Sequence, residues 1–307
     1  MRLSVSMAAD TADQYPNLFL VGAPRCGTTS VASVLNRHSE ISFGAFKEPW
    51  FLNNDFGPRR VTSESAYRAH FRGLPPATRF RLDASTTYLY SRSAREVIAG
   101  IPDARVLIMV RSPIDMAVSW HAQKRLALEE DIDDFESAWR AIGDRKAGKR
   151  VPDSLRERRW LYYDEMAALG TACDRWLETL GGGRVTVLLL DDMRRDPTSF
   201  FENLFQTIGV RADASLARDS HMNRRSKSRN LLVAKSIAKV RDIRRRFLPV
   251  SLGTNLLSRI QELNRVYEAA PPDLRPQFRS ELNEFFRDEV QILERVTGRS
   301  FAHWLDG

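Results

Sequence analysis

Three runs of apolar residues stand out along the chain. Leu18 to Val21, Arg105 to Val110 (RVLIMV) and Arg184 to Leu190 (RVTVLLL) are almost unbroken stretches of Leu, Val, Ile and their like. Short runs of this kind predict strands buried on both faces, as in a parallel sheet. Between them the apolar spacing changes to three and four, the helical period. Val31, Val34 and Leu35 form such a stripe after Thr28, and a second helix is predicted from Ile114 to about Leu128. A longer one runs from Tyr162 to Leu180, with Tyr162, Met166, Leu169, Cys173, Trp176, Leu177 and Leu180 on one side and Gly181 to Gly183 ending it. Asp196-Pro197 caps a helix that reaches Ile208. Short helices are predicted around 63–71 and 135–142, and 145–159 reads as a charged, mobile loop. Leu231 to Phe247 is a basic amphipathic helix, with Val233, Ile237, Val240, Ile243 and Phe247 on its stripe, and 255–305 reads as further helices. The order predicts one α/β domain over residues 16–307, a mostly parallel central sheet with helices on both faces, preceded by a loose leader over 1–15.

Composition narrows the setting. The 307 residues are 43% hydrophobic, and no stretch is long enough to predict a membrane span. The leader lacks the apolar run of a signal peptide, and two cysteines, Cys26 and Cys173, suit the reducing cytoplasm. A net charge of +8 favours an anionic partner: a nucleotide, an acidic glycan or lipid, or nucleic acid. No nucleic-acid-binding signature is present, so nucleic acid is set aside. The five histidines do not cluster, and no spacing predicts a metal site. Asp191 and Asp192, after the third strand, read as a helix cap and solvated turn.

The chemistry concentrates after the first strand. Gly22-Ala-Pro-Arg-Cys-Gly27 is a glycine-bounded loop, and Thr28, Thr29 and Ser30 open the helix. Strand, loop and helix start aim backbone N–H groups at one point, which is an anion site, usually for phosphate. Arg25 adds a forked cation, and Cys26 reads as a small packing residue. The loop is not the nucleoside triphosphatase pattern, which needs Lys between the second Gly and the hydroxyl residue. Lys47-Glu48-Pro49-Trp50-Phe51 follows; in an extended segment, Lys47 and Glu48 would splay to opposite sides. Arg111 ends the second strand, where open α/β sheets bind ligands, and Ser119 follows two turns into the next helix. His221 to Asn230 is a basic loop.

These motifs resemble the sulfotransferase family. Pro24-Arg25-Cys26-Gly27-Thr28-Thr29 matches its 5′-phosphosulfate loop, and Lys47, Glu48, Pro49 and Phe51 match a segment of its glycan-type members, with Leu52 in place of a second aromatic. Asp83, Ser85 and Tyr88 match a later segment in which Thr86 replaces the usual Pro. Arg111 and Ser119 match the 3′-phosphate signature, and Lys227-Ser228-Arg229 is the nearest counterpart of a basic nucleotide-closing loop.

The resemblance implies 3′-phosphoadenosine 5′-phosphosulfate (PAPS) as donor, with no metal. Arg25, Cys26, Gly27, Thr28, Thr29 and Ser30 would hold the 5′ end, and Arg111, Ser119, Lys227, Ser228 and Arg229 the rest of the nucleotide. Lys47 would contact the moving sulfuryl group and Glu48 would be the base, with His121 as the alternative. Asp83, Tyr88 and His121 are candidates for the acceptor pocket, the acceptor being a saccharide, a lipid or a small natural product. Two readings from other classes stay open: a P-loop kinase or NTPase, and a non-catalytic protein that binds anions or a membrane surface through helix 231–247.

Overall fold

The structure is a computed structural model that describes residues 15–213, 215–216, 225–228, 265–268 and 274–306, the two four-residue strands as backbone only. In chain order the elements are β1 (Leu18–Gly22), α1 (Thr28–Arg37), β2 (Ile41–Ser42), α2 (Glu64–His70), β3 (Phe80–Asp83), α3 (Arg92–Ala99), β4 (Arg105–Val110) and α4 (Pro113–Leu126). Then come α5 (Phe135–Arg140), α6 (Ile142–Lys146), α7 (Tyr163–Met166), α8 (Leu169–Leu180), β5 (Val185–Leu189), α9 (Leu190–Arg195) and α10 (Pro197–Ile208). The strands β6 (Arg225–Ser228) and β7 (Arg265–Glu268) and the helices α11 (Pro276–Phe285) and α12 (Arg287–Thr297) complete them.

The chain groups into two compact units: 1–116, 164–223 and 276–307 form the first, 117–163 and 224–275 the second. The first contains the expected α/β sheet, five strands in the order β2-β3-β1-β4-β5, every neighbouring pair parallel. β1 lies in the middle and is buried throughout, which is why its sequence is continuously apolar. From β1 the chain runs out to β2 at the edge, returns to β3 beside β1, and then crosses to β4 on the other side of β1, so the order reverses there. That reversal opens a crevice at the carboxyl ends of the strands, the usual ligand site of such sheets. The leader expected over 1–15 lies outside the described residues except for Tyr15, which is buried with its ring edge-on to Tyr67.

The helix expected from Tyr162 to Leu180 is two helices, α7 and α8, broken at Ala167-Ala168. The cause is distant in the chain. Glu289 of α12 accepts from the Thr171 N–H at 2.8 Å and from its hydroxyl at 2.5 Å, capping the first turn of α8. Gly170 makes room, because a Cβ there would stand 2.3 Å from the Glu289 carbonyl oxygen. Asp191 and Asp192 belong to the helix α9 and do not form a free turn. Trp304 Nε1 donates to Asp191 at 2.8 Å, and Arg299 pairs with Asp192.

In the second unit, the loop expected to be mobile contains a wholly buried Arg145, paired at 2.6 Å with an equally buried Glu130. Tyr163 donates to the same carboxylate at 2.5 Å. Next to it in sequence, Glu129 pairs with Lys124 at 2.8 Å, and the Lys124 ammonium sits 3.6 Å from the Trp160 ring centre. The loop read at 221–230 includes a strand, β6, antiparallel to β7, where the sequence had indicated helix. The basic helix 231–247 lies outside the described residues.

Candidate active site

The loop after β1 is fixed at both ends. The Ala23 N–H donates to the Met109 carbonyl of β4 at 2.6 Å, so the loop stands over the β1–β4 junction. Gly27, at φ 86°, caps α1 without a side-chain acceptor, which leaves the first-turn N–H groups to an incoming anion. A Cβ at Gly27 would meet Met193 and Leu190 of α9 at 2.8 and 2.9 Å, so α9 is the wall against which the loop is pressed. Cys26 is buried, and burial pushes its thiol up to about 12. It is a packing residue and not a nucleophile. Thr28 and Ser30 are buried, while Thr29 is exposed.

Lys47 reaches that loop. Its Nζ lies 3.1 Å from Thr29 Oγ1 and 3.2 Å from Glu48 Oε1. The splaying expected for Lys47 and Glu48 does not occur, because Glu48 is at φ 64° and not extended, which swings its carboxylate back beside its neighbour. Thr86 Oγ1 stands 3.5 Å from the same Glu48 oxygen. At the end of β4, Arg111 is buried; its Nη1 donates to the Arg25 carbonyl at 3.4 Å and its Nη2 pairs with Asp115 at 2.7 Å. Arg25, Thr29, Lys47, Glu48 and Arg111 therefore gather at the carboxyl ends of β1 and β4. A model of the sulfotransferase domain matches residues 15–241 of the chain.

The chain belongs to the sulfotransferase family.

Among curated relatives, a Xenopus laevis bifunctional heparan sulfate N-deacetylase/N-sulfotransferase 1 is 26% identical over 210 residues, 65% of this chain. The human form 3 is 25% identical over 225 residues, 69% of this chain. The chain spans about a quarter of the length of these relatives, 23% and 24%. A solved sulfotransferase from Alicyclobacillus acidocaldarius shares the fold with TM-score 0.67 at 23% identity, over 94% of this chain and 98% of that one. A mouse sulfotransferase complexed with PAP gives TM-score 0.51 at 14% identity, over 92% of this chain and 88% of that one.

The remaining candidate residues fall elsewhere. Asp83 and Tyr88, read from the sequence as acceptor-pocket candidates, are wholly buried. Tyr67, Ser85 and Tyr88 all donate to the Asp83 carboxylate, at 2.6, 2.6 and 2.9 Å. Burial pushes Asp83 up to about 6 despite those three donors, with the Glu48 charge adding to the rise. Ser119, on α4, is buried in the second unit. His121 is buried there too, its Nε2 3.0 Å from the Ile132 carbonyl and its ring against Phe135 and Tyr163. Burial holds its imidazole below the usual value. Lys227 and Ser228 lie in β6, where only backbone is described, and Arg229 lies outside the described residues.

One residue escaped the sequence reading. Arg194 lies on α9, which follows β5 directly, and β5 pairs with β4 up to Val110↔Leu189. The side chain is solvent-exposed, and partial desolvation together with the nearby Arg111 charge holds its guanidinium below the ordinary value. A second cation therefore stands near Arg111, and only the Asp-Asp-Met-Arg helix turn could have signalled it.

Proposed function

We propose that this sulfotransferase moves a sulfuryl group from PAPS to a hydroxyl or amine, with Glu48 as base. The observation that carries the reading is Lys47, bridging Thr29 of the anion loop and Glu48 at 3.1 and 3.2 Å. A donor phosphosulfate on the N–H groups of α1 would put its sulfur within reach of both side chains. The acceptor oxygen or nitrogen forms the new bond to sulfur while the bond from sulfur to the bridging oxygen breaks. Glu48 takes the acceptor proton. Lys47 and Arg25 offset the charge that grows on the departing phosphate, and adenosine 3′,5′-bisphosphate leaves. Arg111, with Arg194 beside it, supplies the charge for the 3′-phosphate.

The heparan sulfate named in the relatives' descriptions supports a saccharide acceptor. Two free and buried cysteines suit a cytoplasmic setting. No helix among the described residues is long and apolar enough to cross a membrane.

The test is turnover with PAPS over a panel of saccharide, lipid and small hydroxylated or amino acceptors. Glu48→Gln should lower turnover by at least ~100-fold while adenosine 3′,5′-bisphosphate still binds. Full activity in that variant would remove Glu48 from the mechanism. Binding of Mg-ATP in preference to the bisphosphate would favour the kinase reading instead.

A further inference from the structure

The segment that carries Lys47 and Glu48 has a costly backbone. Glu48 and Trp50 flank Pro49 with φ of 64° and 47°. Each such conformation in a residue other than glycine costs on the order of 1–3 kcal/mol and persists only where neighbours impose it. The imposing groups lie directly behind. Ser85 Oγ accepts from the Trp50 N–H at 3.2 Å, and Tyr88 OH accepts from the N–H groups of Phe51 at 3.0 Å and Leu52 at 3.1 Å. Both hydroxyls commit their own protons to Asp83. That commitment leaves their lone pairs to face the backbone. Tyr67 donates to the same carboxylate and stacks on Phe51, 4.4 Å between ring centres.

We infer that Asp83, Ser85 and Tyr88 are positioning residues for Glu48: one buried carboxylate orients two hydroxyls, and these fix the backbone turn that aims Glu48 at Lys47. A carboxylate suits the hub because both its oxygens only accept when it is ionised. An amide in its place would present a donor to one hydroxyl and turn that hydroxyl away from its N–H partner. The inference rests on the reading of Glu48 as base, but its backbone half is measurable without it.

Tyr88→Phe deletes one oxygen and keeps the ring. It should lower kcat roughly 10- to 100-fold, the usual result of misplacing a reacting group by about an ångström. Affinity for adenosine 3′,5′-bisphosphate should stay within about twofold, because the anion loop is untouched. In a Glu48→Gln background the same change should cost less than about threefold, since residues acting through one another are not additive. Amide exchange over Trp50 to Leu52 should quicken at least ~10-fold. Losses that multiply in the double variant would overturn the inference, as would unaltered exchange at Phe51 and Leu52. If Tyr88→Phe does not fold, Ser85→Ala, which frees the Trp50 N–H, takes the same measurements. Wild-type protein inert toward every acceptor would sink the proposed function, and the exchange result would still decide the positioning role.

Discussion

Arg111 has the most constrained surroundings of any site residue. It is buried, it spends one nitrogen on Asp115 and another at long range on the Arg25 carbonyl, and its Nε has no partner among the described residues. A buried guanidinium with a donor to spare is costly until an anion arrives. Arg111→Ala should therefore weaken adenosine 3′,5′-bisphosphate roughly 30- to 100-fold and adenosine 5′-phosphate less than threefold, measured by calorimetry. Equal losses for both nucleotides would take the 3′-phosphate away from Arg111. At this scale the sequence marked Arg25 to Ser30, Lys47 and Glu48 as short motifs, and the structure brings Thr29 and Glu48 within hydrogen-bond distance of Lys47. The sequence was silent on the left-handed turn at Glu48. A residue before proline is normally pushed to extended backbone. The opposing force comes from Ser85 and Tyr88, more than thirty residues away.

Elements were legible where burial alone sets them. β1, β4 and β5 announce themselves as apolar runs, and the Asp196 cap of α10 appears as Asp196 accepting from the Ser199 N–H at 3.1 Å. β2 and β3 were not foreseen, because two and four residues carry too little periodicity. The break between α7 and α8 has its cause in α12, so no local pattern could reveal it. That junction gives a test in which two effects oppose. Gly170→Ala gains about 1 kcal/mol of helix propensity but drives a methyl into the Glu289 carbonyl. Overpacking of this kind costs about 1–3 kcal/mol, and contact with backbone puts it at the upper end. The variant should be less stable by about 1–2 kcal/mol in urea unfolding. A more stable variant would show that α12 gives way easily.

At the scale of the whole molecule, each unit has a buried carboxylate at the centre of a polar network, and the two respond to pH with opposite sign. Asp83 is raised from 3.8 to about 6 in the fold, so its contribution to stability is full below 3.8 and is lost as pH rises through 6. The loss is about 3 kcal/mol. Burial raises Glu130, but Arg145, Tyr163 and the Ile132 N–H outweigh it and hold it below 4.5. Its contribution is therefore full above 4.5 and is lost as pH falls through the depressed value. The stability of wild type relative to Asp83→Asn should fall between pH 4 and 7, while that relative to Glu130→Gln should rise from pH 3 to 5. Urea titrations across that range check both. The first unit is assembled from three separated stretches of chain, and α8 receives its cap from a residue 118 positions downstream. A nascent chain emerging from the ribosome would thus leave α8 uncapped until α12 is synthesised, exposing apolar surface that a chaperone would have to shield in the meantime.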